Sequence, residues 1–223
     1  MARFKRLEVL NTIAETGLVP LYYNKDAEIV KNVVKACYEG GARIFEFTNR
    51  GDFAHEVFAE VNAWCASECP EMILGVGSVV DAPTAVLYIQ LGAAFVVSPL
   101  LNEEIARVCN RRKIAWVPGT ATLSEINRAE ELGCELVKIF PADSIGGPSY
   151  IKAVTGPCPW TSIMPSGGVS PTRENLEAWF SAGAFCVGMG SKLITKEIIA
   201  NAAYDTLRDS VSETLELIRE VRG

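Results

Sequence analysis

The chain is almost without histidine: His55 is the only one among 223 residues. This excludes a zinc site with two or more His ligands in one chain, and it leaves any Ser-His-Asp or Cys-His mechanism to His55 alone. His55 falls in the helical pattern HEVFAEV and reads as a surface or hydrogen-bonded residue. A disulfide framework is also missing. The seven cysteines, Cys37, Cys65, Cys69, Cys109, Cys134, Cys158 and Cys186, are odd in number and widely scattered, which points to free thiols and a cytoplasmic location. Cys65 and Cys69 share a helix face, but no second Cys or His pair accompanies them, so they read as small buried hydrophobes. The N-terminus, MARFKRLEVLNTIAETG, has basic residues but neither the apolar core nor the cleavage site of a secretory signal. Basic charge is not in excess: the net charge is −6 and the pI about 5.0. That balance disfavours a general nucleic-acid or membrane-surface binder, yet it leaves room for a small anionic ligand held by a few local groups.

What is present is an ordinary globular composition, with 49% apolar and 22% charged residues. No linker or low-complexity stretch divides it, so one domain over residues 1–223 is expected. Eight short apolar runs recur: GLVPLYY, ARIFEFTN, MILGVGSV, AAFVVSP, KIAWVPG, ELVKIFPA, TSIMPSGG and AFCVGMGS. Each is separated from the next by enough chain for one helix. The uncharged stretch from Ala82 to Asn102 has the length of a membrane span, but Pro83, Gln90, Gly92, Ser98 and Pro99 interrupt it. It reads as a helix, a break at Gly92 and a buried strand.

The intervening helices carry their own start and stop signals. DAEIVKNVVKACYEGG has an apolar stripe of Ile29, Val30, Val33, Val34 and Cys37, and ends on Gly40 and Gly41. Thr122 and Glu125 form a capping-box pattern, Asn102 precedes two acids, and Ser170 with Pro171 is expected to open another helix. Repeated strand–helix alternation predicts a parallel sheet buried on both faces. Eight units in this length predict a single-domain (β/α)8 TIM barrel over about 17–193, with additional terminal helices, one of them over about 201–222. An open doubly wound sheet is the alternative.

Two charges lie inside buried strands. In ELVKIFPA, Leu136, Lys138 and Phe140 share one face. In ARIFEFTN, Ile44, Glu46 and Thr48 do. The opposite faces are wholly apolar and suit the helices, which leaves Lys138 and Glu46 pointing into the barrel. Burial disfavours the ammonium form of a lysine, and a neutral amine is what a Schiff-base nucleophile requires. A buried carboxylate beside it suits proton transfer. The structural alternative is a buried ion pair that only fills the interior, which is costly to bury and adds little stability. Both residues stand toward the C-terminal ends of their strands, where barrel active sites form. Arg50, at the end of the second run, is placed to grip a carboxylate or phosphate at the mouth.

After the seventh and eighth runs come two glycine turns, Ser166-Gly167-Gly168 and Gly188-Met189-Gly190-Ser191. Glycine lets backbone N–H groups approach a ligand, and many barrels bind phosphate with the loops at these two positions. Ser78 closes the third run, where its hydroxyl can meet a substrate oxygen. Pro99 and Pro141 stiffen strand ends.

Together these residues resemble the 2-dehydro-3-deoxy-6-phosphogluconate (KDPG) and 4-hydroxy-2-oxoglutarate (KHG) aldolase family. The likeness runs from about Gly17 to Leu193 and includes FEFTNRGDFA, LGVGSVV, FVVSPLL, VPGTATLSE, VKIFPAD, PSGGVSP and VGMGS in family order. It implies a class I aldolase that needs no metal or other cofactor and forms a homotrimer. By resemblance, Lys138 is the imine-forming lysine and Glu46 the general acid and base. Arg50 and Ser78 hold the pyruvate carboxylate, and Pro99 and Phe140 shape the substrate cavity. Ser166, Gly167, Gly168, Gly190 and Ser191 surround the phosphate. Departures from the family pattern are Tyr23 where arginine is frequent, serine at 78 and 166 where threonine is common, Asn49 before Arg50, and SPLL at 98–101. The implied substrate is a 2-keto-3-deoxy sugar acid, cleaved to pyruvate and an aldehyde. The rivals are a phosphate-binding isomerase or epimerase barrel and a non-catalytic phosphosugar-binding barrel.

Overall fold

The computed structural model of the protein describes residues 2–223. An amphipathic helix, α1 (Arg6–Thr16), precedes nine strand segments, β1 (Leu18–Tyr22), β2 (Ile44–Thr48), β3 (Ile73–Gly77), β4 (Phe95–Val97), β5 (Ala115–Val117), β6 (Gly119–Thr120), β7 (Val137–Ile139), β8 (Ile163–Pro165) and β9 (Val187–Met189). Helices α2 (Ala27–Glu39), α3 (Ala54–Glu68), α4 (Ala82–Gln90), α5 (Glu103–Arg112), α6 (Leu123–Glu131), α7 (Gly147–Thr155) and α8 (Arg173–Ser181) alternate with them. Helices α9 (Lys196–Ala200) and α10 (Tyr204–Arg222) end the chain.

Every strand pairing is parallel, in the orders β5-β4-β3-β2-β1-β9 and β6-β7-β8. The protein is thus an α/β fold with a curled parallel sheet. The fifth apolar run was expected as one strand but is two, β5 and β6, separated by Pro118. Proline has no N–H to give the ladder, so pairing is interrupted there. Its carbonyl still accepts from the Lys138 N–H at 2.8 Å. At the other edge, a single parallel bridge joins Ser166 to Gly188.

Two apolar layers position the site. The outer layer lies between strands and helices and includes Phe45, Phe47, Phe58, Val76, Tyr88, Val96 and Trp116. The inner layer packs Val9 and Ile13 of α1 against Val19, Ile44, Ile73, Phe95, Ala115, Leu136 and Met164. Helix α1 therefore closes the end of the sheet where the strands begin, and a dry apolar floor lies under the residues that follow along each strand.

The capping signals explain most helix starts. Asn102 accepts from the N–H groups of Glu104 and Ile105 at 2.9 and 3.1 Å. Thr122 and Glu125 form the expected box, and the N–H of Ala121 on its carboxylate holds Glu125 below the ordinary range. One start differs from expectation. The cap of α8 is Thr172, not Ser170, because Thr172 accepts from Asn175 while the Ser170 N–H is taken by the Asn175 side chain. Pro171 consequently precedes the helix. Leu207, Val211, Leu215 and Ile218 of α10 are buried on one face, as their spacing predicts. The uncharged stretch resolves into α4, a left-handed Gly92 and β4. Among the described residues no helix is long and apolar enough to cross a membrane.

Phe58 anchors the outer layer, with its ring 5.7 Å from Phe47 and 5.1 Å from Tyr88. Phe58→Ala leaves a cavity behind β2 and is expected to lower unfolding stability by about 3–5 kcal/mol in urea titration.

Candidate active site

Glu46 and Lys138 lie on neighbouring levels of the interior, directly above the apolar floor. Lys138 is 6% and Glu46 1% exposed. The Lys138 Nζ stands 3.8 Å from Glu46 Oε1, which is within ion-pair range but longer than a hydrogen bond. Glu46 Oε2 is buried with no partner in the protein. The Lys138 Nζ also lies 5.3 Å from the centroid of the Phe140 ring. After Phe140 the chain turns through a cis bond to Pro141.

Room for this pair comes from the neighbouring strand. Glu46 is in register with Gly75 and Thr48 with Gly77. A Cβ at Gly77 would occupy the space of Glu46 Oε1, and one at Gly75 would enter the Phe95 ring. The two glycines of β3 thus let a carboxylate and an aromatic ring fold across the strand. Gly119 plays the same part for the Pro99 backbone, which lies where its Cβ would be.

Beyond Glu46 along β2 lies a cavity of about 610 Å³, walled by Thr48, Arg50, Phe140 and Tyr23, by the two glycine turns, and by Ile194, Lys192 and Lys196. Three cations and no acid line it, in a chain whose net charge is −6. Gly167 and Gly168 are consecutively left-handed, with φ of 97° and 77°, so the turn needs glycine at both positions. Ser166 is buried beneath them. Arg50 is exposed at the mouth and donates from Nε to Ser78 Oγ at 3.3 Å. Ser78 is left-handed (φ 60°), an unusual conformation for a serine.

The structure therefore gathers Arg50, Phe140, Ser166, Gly167, Gly168, Gly190 and Ser191 around one cavity; Lys138 and Glu46 do not line it but stand next to its wall, Lys138 beside the Phe140 ring and Glu46 two residues before Thr48. Ser78 joins through Arg50. Pro99 lies with its backbone against Gly119, which is in register with Lys138, and is not part of the cavity wall. Four residues of the site went unassigned in the sequence. Thr48 is on the cavity wall, as its shared face with Glu46 implied. Gly77 could not be recognised without the register of β2 on β3. Lys192 and Lys196 follow the last glycine turn, where nothing in their spacing separates them from ordinary surface lysines.

Other reactive groups are poorly placed. Burial pushes the thiols of Cys65, Cys109 and Cys134 up to about 12, which leaves them almost wholly protonated. Cys65 and Cys69 are both buried in the outer layer. His55 is half-buried on α3 beside the Phe53 ring. A second cavity, of about 750 Å³, lies at the opposite end beside α1 and includes Phe4, Ile89 and Lys113; it is remote from Lys138.

Comparison with known proteins agrees with this arrangement. The chain matches the family described as "Aldolase: KDPG and KHG aldolase" over residues 9–209. It is 31% identical over 205 residues to the 2-dehydro-3-deoxy-phosphogluconate aldolase of Pseudoalteromonas atlantica, covering 92% of this chain and 93% of the relative. It is 30% identical over 208 residues to the KHG/KDPG aldolase of Escherichia coli, covering 92% and 94%. Among solved structures, the KDPG aldolase of Legionella pneumophila with pyruvate captured at low pH as a covalent carbinolamine intermediate superposes with a TM-score of 0.81, at 25% identity, over 90% of this chain and 95% of that one. A match that runs from α1 into α10, with a lysine and a carboxylate buried together next to the cavity, leaves one conclusion: the chain belongs to the KDPG and KHG aldolase family.

Proposed function

We propose that this protein is a class I aldolase that cleaves a 2-keto-3-deoxy sugar acid, with 2-dehydro-3-deoxy-6-phosphogluconate the favoured substrate and pyruvate and glyceraldehyde 3-phosphate the products. 4-Hydroxy-2-oxoglutarate, cleaved to pyruvate and glyoxylate, is a second substrate in this reading. The observation that carries it is the buried Lys138 Nζ at 3.8 Å from Glu46 and beside Phe140, a wall residue of a cavity lined by cations.

Glu46 can take a proton from the Lys138 ammonium and so free the lone pair for attack. The Lys138 amine adds to the C2 carbonyl to give a carbinolamine, the species captured with pyruvate in the Legionella relative. Glu46 gives the proton it took to the departing hydroxyl, so water leaves, an iminium forms and the carboxylate is a base again. The C3–C4 electron pair then moves into the iminium to form an enamine, as Glu46 removes the C4 hydroxyl proton and the aldehyde departs. Glu46 returns the proton to C3, and water hydrolyses the iminium to pyruvate and the free amine. In this scheme Arg50 and Ser78 hold the carboxylate, Phe140 packs against the carbon chain, and the turns at Ser166–Gly168 and Gly190–Ser191 receive the phosphate. Lys192 and Lys196 add positive potential on that side.

We read the two sheets as one closed ring of eight β/α units in a single domain. The Lys138 bond across Pro118 and the Ser166–Gly188 bridge support that reading, since they link the sheets at both seams. Membership in the family also carries the expectation of a cytoplasmic homotrimer, which sedimentation of the purified protein would test for assembly.

Borohydride reduction in the presence of pyruvate is expected to attach one three-carbon unit at Lys138, identified by peptide mass, and Lys138→Ala to abolish it. An isomerase, an epimerase or a binding protein on the same fold would leave Lys138 unmodified. Glu46→Gln keeps the shape of the side chain but not its basicity, so pyruvate release is expected to slow by about 100-fold or more. Gly77→Ala displaces the same carboxylate by its methyl group. A comparable loss of kcat is expected there, and a variant of unchanged kcat would show that the carboxylate position is not needed.

A further inference from the structure

Three of the buried threonine hydroxyls in this protein have partners. Thr120 Oγ1 donates to the Lys138 carbonyl at 3.2 Å, Thr161 to Glu130 at 2.7 Å and Thr214 to the Ser210 carbonyl at 2.6 Å. Among the described residues, the buried hydroxyls with none are those of Thr48 and Ser98. The two differ in where they stand. Ser98 follows Val97, an inner-layer residue, and alternation turns it away from the interior. Thr48 is 1% exposed, yet it is part of the cavity wall.

Its level on β2 is informative. Thr48 lies two residues beyond Glu46 on the same face, about 7 Å nearer the mouth, and two residues short of Arg50. Alternation is confirmed by Asn49, whose side chain accepts from the Tyr88 hydroxyl of α4 on the helix side. Its lateral neighbour in register is Gly77, which has no side chain to compete for a ligand, and Ser78 follows with its hydroxyl on Arg50. A buried hydroxyl without a partner costs about 1–3 kcal/mol, a cost that a bound oxygen removes.

We infer that Thr48 is a further substrate-binding residue, whose hydroxyl donates to a carboxylate oxygen of the 2-oxo acid and completes the anchor begun by Arg50 and Ser78. This rests on the Schiff-base reading above, since the carboxylate is one bond from the carbon that Lys138 attacks. The role concerns the pyruvyl half, which is common to every substrate of the site. It therefore acts in imine formation itself and not only in cleavage of the longer sugar acid.

The test is reductive trapping with graded pyruvate in the unmutated protein, Thr48→Val and Thr48→Ser. Valine keeps the shape and loses the donor, so half-maximal trapping is expected to need about 10- to 100-fold more pyruvate. Serine keeps the donor and should recover most of that loss. Urea midpoints of the unliganded proteins separate binding from structure: Thr48→Val should equal or exceed the unmutated protein, because it removes an unsatisfied group. Thr48→Val that saturates at the original pyruvate concentration, or that unfolds much earlier, would overturn the assignment. No adduct even in the unmutated protein would overturn the aldolase reading, and this role with it.

Discussion

The site depends on keeping one amine and one carboxylate together where water is scarce. Separating two charges from solvent is unfavourable unless they meet each other or a ligand. Here they meet only loosely: 3.8 Å between Nζ and Oε1, with the second carboxylate oxygen unpartnered. A pair retained for stability would be expected to close to hydrogen-bond distance and satisfy its remaining atoms. The looseness makes sense if the missing partners are substrate atoms. The apolar floor sealed by Val9 and Ile13 of α1 packs the interior on the side where the strands begin, so the pair has no polar group to meet there.

That geometry is bought with missing side chains. A parallel interior has little free volume, and β3 carries glycine at positions 75 and 77. The absence of side chains there lets Phe95 and Glu46 lean across from adjacent strands. The same device at Gly119 admits the Pro99 backbone beside the strand that leads to Lys138. Each glycine weakens its strand through lost packing and backbone entropy. The interior thus exchanges stability for the placement of two side chains, a compromise common at functional sites.

The order of elements could be read because nearly all strand residues are buried on both faces and most helices carry a cap, so periodicity and start signals agreed over most of the chain. The break at Pro118 was visible as a proline, but its consequence was not, because only strand pairing shows that a lost N–H divides one strand in two. Similarly, Lys138 and Glu46 stood out as charges inside apolar strands. Their distance could not be read, since it depends on the register of β2, β3 and β7. Ser170, Pro171 and Thr172 each suit a helix start, and the Asn175 side chain, which occupies the Ser170 N–H, decides for Thr172. Lys192 and Lys196 illustrate a further limit: a surface lysine becomes a site residue only through what the fold puts opposite it.

Charge distribution follows the same logic at larger scale. Acids outnumber bases in the chain, 27 to 21, yet the cavity wall has only cations. Several acids serve helix starts, as Glu103 and Glu104 do on α5 and Glu125 on α6, and Glu103 is further neutralised by Arg128. They are thereby kept on the outer helical shell. Asp143 packs against Gly168 from behind the turn, where a side chain on residue 168 would strike it. An anionic substrate therefore meets a negatively charged protein whose cavity beside Lys138 is locally positive. The low-dielectric walls of that opening strengthen its field relative to the screened outer surface. Phosphate at one end and carboxylate at the other would be drawn to the Lys192–Lys196 side and to Arg50 respectively. The carbonyl carbon between them is then carried down toward Lys138, so the electrostatics that admit the substrate also set its orientation for attack.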